Sequence, residues 1–100
     1  MYAKGYVNKM GGVWKMFAQR RFFEVELRDG KRFITWRRSD SDKVPKGTAY
    51  ILKVDSDIHA LTIDICLDHT YKGKCWRKLC FRSPEVFNAW LNHLDKSPQV

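Results

Sequence analysis

The residues able to do chemistry fall into two groups with different outlooks. Cys66, His69, Cys75 and Cys80 are metal-ligand types, but their spacing fits no tight zinc knuckle. His59, His69 and His93 have no serine, cysteine or carboxylate partner at a spacing suited to triad chemistry. No glycine-rich phosphate loop and no paired-acid motif occurs. The chain is therefore expected to be neither an enzyme nor a metal or cofactor protein. Three cysteines cannot all pair internally, which predicts free thiols and a reducing, cytoplasmic setting.

The second group is basic. The net charge is +8, and residues 1–38 supply +7 of it, with ten Lys or Arg against three Asp or Glu. Residues 39–100 carry nine basic and eight acidic side chains. So one-sided a distribution points to a polyanionic partner rather than to solubility alone. Lys9, Lys15, Arg21 and Arg38 are the basic residues whose spacing places them together, for reasons that lie in the elements beneath them.

The 100 residues form one domain with one core, taken as residues 4–97. Apolar residues make up 44% of the chain, so folding is expected. No apolar run is long enough to span a bilayer, which takes about 18 residues. Lys4–Met10 reads as a strand closed by Gly11-Gly12. In Gln19–Arg28, Phe23, Val25 and Leu27 alternate with Glu24 and Glu26, so one face is buried and one wet. Asp29-Gly30 is a two-residue hairpin signal, because a type I′ turn needs positive φ at both positions. Lys31–Arg38 returns. Ser39–Gly47 is a polar loop with Pro45 and Gly47. Thr48–Leu52, Lys53–Ser56, Leu61–Leu67 and Cys75–Phe81 complete seven expected strands. Leu61, Ile63, Ile65 and Leu67 are expected inward, against Thr62, Asp64 and Cys66 outward.

The period then changes. Ser83 suits an N-cap and Pro84 the first helical position. Val86, Phe87, Trp90, Leu91 and Leu94 make one wide apolar stripe. Strands followed by one amphipathic helix predict a bent sheet or barrel with the helix over an open end.

The hairpin register follows from the turn. Arg28 pairs with Lys31, Val25 with Ile34, Phe23 with Trp36 and, by extension, Arg21 with Arg38. Like charges directly opposite each other destabilise a sheet. A polyvalent anion between them replaces repulsion with charge-assisted hydrogen bonds of roughly 1.5–3 kcal/mol each. Lys9 shares the parity of Val7 and points to the same mouth, and Lys15 lies in the connecting loop. The other reading leaves these side chains as solvated rim residues.

The order of these pieces resembles the pleckstrin-homology family. Lys4-Gly5-Tyr6-Val7-Asn8-Lys9 is similar to its opening strand. Gln19-Arg20-Arg21-Phe22-Phe23 is similar to its second-strand motif of basic residues before two aromatics. Pro45-Lys46-Gly47-Thr48 resembles the turn before its fourth strand, and Trp90 sits where the family carries its helix tryptophan. The resemblance spans nearly the whole chain. It implies a mainly β fold: a seven-stranded antiparallel β-barrel of two near-orthogonal sheets capped by one C-terminal α-helix. It also implies a phospholipid headgroup site at the open end, with Lys9, Arg21 and Arg38 in the gripping positions. Gln19 departs from the motif, which has a basic residue there. That shifts the expectation from stereospecific recognition of a 3-phosphorylated inositide towards other phosphoinositides or phosphatidic acid. Many family members bind only proteins, so a protein-interaction module is the alternative.

The loop Gly11–Phe17 holds Val13, Trp14, Met16 and Phe17 around Lys15. Tryptophan favours membrane interfaces. Val13, Trp14 and Met16 are therefore expected to enter the lipid surface, unless Val13 or Phe17 folds back as core. The expected partners are anionic membrane phospholipids. A protein partner is a further candidate, nucleic acid is disfavoured, and the chain is expected to be a peripheral, monomeric membrane binder.

Overall fold

A computed structural model describes residues 2–10, 18–71 and 73–95. Strands β1 (Tyr2–Met10), β2 (Ala18–Arg28), β3 (Lys31–Arg37), β4 (Gly47–Asp57), β5 (Thr62–Tyr71) and β6 (Lys74–Cys80) precede one helix, α1 (Pro84–Asp95). All six strands pair antiparallel in chain order, and β1 closes on β6 through Asn8–Met10, giving a closed barrel. Closure removes the exposed sheet edges that would otherwise template aggregation.

The alternating strands bury most of the faces expected of them. Phe23, Val25, Ile34, Ile63, Ile65 and Leu67 are all buried in one core with Val7 and Leu79. Leu27, expected on the same face as Phe23 and Val25, is instead exposed beside the Asp29-Gly30 turn, beyond the end of the core. Asp29 (φ 52°) and Gly30 (φ 76°) both lie in the left-handed region, as a type I′ turn requires. The β2–β3 register runs Arg28–Lys31, Val25–Ile34 and Phe23–Trp36, as the turn dictates.

The described residues form six strands, where seven were expected. Thr48–Leu52 and Lys53–Ser56 are halves of a single strand, β4. Its pairing with β5 slips between Ile51 and Lys53. A bulge adds a residue to one strand, bends it and raises its twist. One strand can thus run through a corner of the barrel where the local pattern reads as two pieces. Cys66 is a second departure. It alternates with core residues yet is only 8% exposed, so its outward-facing position is covered rather than wet.

Gly47 opposes Trp36 in the β3–β4 ladder. A Cβ built at Gly47 would lie 2.2 Å from the Trp36 ring. The indole therefore lies across a strand position that only glycine leaves open. The Lys46 N–H donates to the Trp36 carbonyl (2.9 Å), which closes the loop between the two strands at its base.

Ser83 caps α1: its Oγ accepts from the Val86 N–H (3.2 Å), and its carbonyl accepts from Phe87 N–H (3.0 Å). Phe87, Trp90 and Leu94 enter the core and Leu91 packs beside them. Val86, expected within that stripe, is 47% exposed. It sits in the first turn, on the flank of a stripe whose centre is set by Phe87, Trp90 and Leu94. At the other end of the helix, Arg32 Nε donates to the His93 carbonyl (2.9 Å). The C-terminus of α1 is thereby held beside the turn end of the β2–β3 hairpin. Arg21 and Arg38 belong to the opposite end.

Candidate functional site

The β2–β3 hairpin sorts its charges along its length. Near the turn, Arg28 donates from Nε to Glu26 Oε1 (2.6 Å) and lies 4.0 Å from the centre of the Phe33 ring. Further along, Arg37, the last β3 residue in the ladder, reaches back to form an ion pair with Glu24. At the end away from the turn come Arg21 and Arg38. Among the described residues Arg38 makes no ion pair, and it is exposed. Arg21 is half-buried, stands opposite Val7 on β1, and donates from Nη1 to the Arg20 carbonyl (3.1 Å).

The expected Arg21–Arg38 pair is not formed in the ladder. The last β2–β3 pair is Phe22–Arg37, and the chain bends away at Arg38. The reason lies in the neighbouring strand. The Trp36 carbonyl is taken by Lys46 N–H, and the loop from Ser39 is drawn instead towards β1. There Tyr6 donates its hydroxyl to Asp40 Oδ1 (2.9 Å) and accepts from the Asp40 N–H (3.1 Å). The two contacts fix Asp40 two residues beyond Arg38. Tyr6 is itself held between two residues of β2. Its ring meets Phe22 edge to face (centroids 5.2 Å apart), and the Arg20 guanidinium lies 4.1 Å from its centroid.

Tyr6, Arg20 and Asp40 thus position the loop carrying Arg38, and none of the three is a sequence-predicted site residue. The signal for Tyr6 and Arg20 was present: alternation along β1 and β2 puts Tyr6, Phe22 and Arg20 on the face away from Val7 and Phe23. Asp40 lies in a polar loop whose path no periodicity encodes.

Of the remaining predicted residues, Lys9 lies on β1 in register with Gln19 of β2 and Leu79 of β6. Its backbone is thus two positions along from Val7, beside the strand of Arg21. Lys15, Val13, Trp14 and Met16 lie outside the described residues.

A groove of about 370 Å³ opens on the outer side of β1, between that strand and the start of α1. Tyr6, Asn8, Arg20, Phe81, Arg82 and Val86 line it. It combines two guanidinium groups with apolar surface, including the exposed Val86.

Among the described residues no cluster of His, Cys, Asp or Glu could hold a metal ion. No described helix is long and apolar enough to cross a membrane. No protein-family model matches this chain, and no curated protein matches it.

Proposed function

We propose that this chain is a peripheral membrane-binding domain of the pleckstrin-homology type, which takes anionic phospholipid headgroups at the open end of its barrel. In this reading the bend in β4 at Ile51–Lys53 corresponds to the break between the fourth and fifth strands of a seven-stranded, two-sheet barrel. Lys9, Lys15, Arg21 and Arg38 grip the headgroup, a phosphoinositide or phosphatidic acid. Val13, Trp14 and Met16 enter the lipid surface.

The observation that carries the reading is the grading of charge along the β2–β3 hairpin. Glu26 and Glu24 engage Arg28 and Arg37, while Arg38 stands exposed and makes no ion pair among the described residues. Arg21 occupies that same end of the hairpin, and Lys9 lies on the adjoining strand. A phosphate placed there meets positive charge from three segments. Each basic residue near an anionic leaflet contributes roughly 1 kcal/mol, and a direct charge-assisted bond contributes about 1.5–3 kcal/mol.

Cosedimentation tests this with phosphatidylcholine liposomes, alone or carrying phosphatidic acid or phosphoinositide. Arg21→Ala and Arg38→Ala should each weaken binding roughly tenfold, the equivalent of about 1.4 kcal/mol. Arg28→Ala removes the same charge at the turn end and should change binding far less. Equal losses from all three would leave only a diffuse basic surface and refute a defined headgroup site. Trp14→Ala should weaken binding with the melting temperature unchanged; a fall in stability would place Trp14 in the core instead.

The groove beside β1 favours a second reading, a protein-interaction module. Arg20 and Arg82 flank apolar surface from Phe81 and Val86, a combination suited to an acidic, partly apolar peptide. Binding that survives Arg21→Ala and Arg38→Ala but is lost with Arg82→Ala would select it.

A further inference from the structure

Two of the three thiols sit close together on neighbouring strands. Cys66 Sγ on β5 lies 3.0 Å from Cys75 Sγ on β6. Regular pairing alone would not bring them together, because Cys66 stands opposite Trp76. The β5–β6 register is irregular between Cys66 and Tyr71. That irregularity lets Cys75, one residue before Trp76, turn its sulfur towards Cys66. The two sulfurs are within about 1 Å of bonding distance, since a disulfide spans about 2.05 Å. Both cysteines are unbridged, as is Cys80.

The two sulfurs differ in ways that assign them separate roles. Cys66 is 8% exposed, whereas Cys75 is half-buried and so the more accessible residue of the two. The hydrogen bond with Cys75 and burial both push the Cys66 thiol up, while Lys53, opposite Cys66 on β4, pulls it down. Cys75 is therefore the sulfur that an oxidant meets first, and Cys66 the one that resolves the product.

We propose that Cys66 and Cys75 form a dithiol modification site that a hydroperoxide converts to an intramolecular disulfide. The Cys75 thiolate attacks the peroxide oxygen, the O–O bond breaks, and Cys75 becomes a sulfenic acid while an alcohol or water leaves. Cys66 then loses its proton and attacks Cys75 Sγ, expelling hydroxide, which that proton converts to water. Overall, two thiols and one hydroperoxide give one disulfide, one alcohol (or water) and one water. The peroxide is reduced by two electrons. The bond staples the β5–β6 hairpin, and a dithiol reductant reverses it. This site is independent of the lipid reading.

Hydrogen peroxide is the probe. Treated folded protein should lose two hydrogens in mass, and its thiol count on denaturation should fall from three to one. Trypsin separates the three cysteines: Cys66 lies on Val54–Lys72, Cys75 on Cys75–Arg77 and Cys80 on Leu79–Arg82. The first two peptides should appear joined, and dithiothreitol should release them. Cys80→Ser should give the same linked pair. Cys75→Ser should give only single-sulfur oxygen additions. In Cys80→Ser, the ratio of linked to oxygenated product should be at least about tenfold higher folded than in urea, because pre-alignment raises the effective concentration of the resolving thiol. Sulfinic acid at Cys66 or Cys75 without the linked pair, linkage through Cys80, or an equal ratio in urea would overturn the proposal. None of these outcomes depends on a variant retaining lipid affinity.

Discussion

Replacing Gly47 by alanine drives a methyl group into the Trp36 indole. The added Cβ would lie 2.2 Å from one ring carbon and 2.5 Å from the next, where ordinary contact begins near 3.4 Å. Relief requires the ring or the strand to move by more than an ångström. The ring is half-buried and packed against the core, so it cannot swing aside without opening space elsewhere. Overpacking of this kind costs about 1–3 kcal/mol. For a domain of this size that lowers the melting temperature by roughly 4–8 °C per kcal/mol. The decisive measurement is a double-mutant cycle by thermal or urea denaturation with Trp36→Leu. The clash needs both groups, so Gly47→Ala should cost little once the indole is gone. A coupling of about 1 kcal/mol or more is expected. If Gly47→Ala costs the same in both backgrounds, the glycine serves backbone conformation rather than the indole, and the argument fails. The pair also bears on the candidate site, because Trp36 and Gly47 close the base of the loop that carries Arg38.

Trp90→Ala should cost roughly 3–5 kcal/mol, since Trp90 is 6% exposed and contacts both the Gly5 position and Phe81; an unchanged melting temperature would show that the helix does not complete the core. Tyr6→Phe removes both hydrogen bonds to Asp40 but keeps the ring under Arg20. It should cost about 1 kcal/mol and raise amide exchange at Asp40; protection equal to wild type would mean another contact holds that loop. Cys66 and Cys80 both have thiols pushed above the ordinary value of 9.0, by hydrogen bonding to Cys75 and burial for Cys66 and by burial for Cys80. A raised folded value favours the protonated form in the folded state. The resulting stability is present below the unfolded value and fades as pH rises through 9 and above. Wild type under reducing conditions should therefore lose more melting temperature between pH 8 and pH 10 than Cys80→Ser. Equal losses would show that Cys80 is not the group responsible.

Features that depend on neighbours a few residues apart were legible along the chain. Period-two alternation decided which faces of β2, β3 and β5 are buried, because successive side chains on a strand point to opposite sides. Asp29-Gly30 determined a two-residue turn, and with it the register that pairs Phe23 with Trp36. Ser83, Pro84 and the spacing of Phe87, Trp90 and Leu94 determined where the helix begins and which side it buries. Folding settled matters that depend on what lies across the barrel. It made one bent strand of Thr48–Ser56, because both halves find partners on β5 across the slip at Ile51–Lys53. It left Val86 outside the core, on the flank of a stripe centred on Phe87, Trp90 and Leu94. It took Arg38 out of the ladder, because Tyr6 holds the loop at Asp40 instead. It brought Cys66 against Cys75 through an irregular hairpin. Local periodicity encodes which way a side chain faces, but not which distant residue waits there, and the bent strand, Arg38 and Cys66 turn on such a partner.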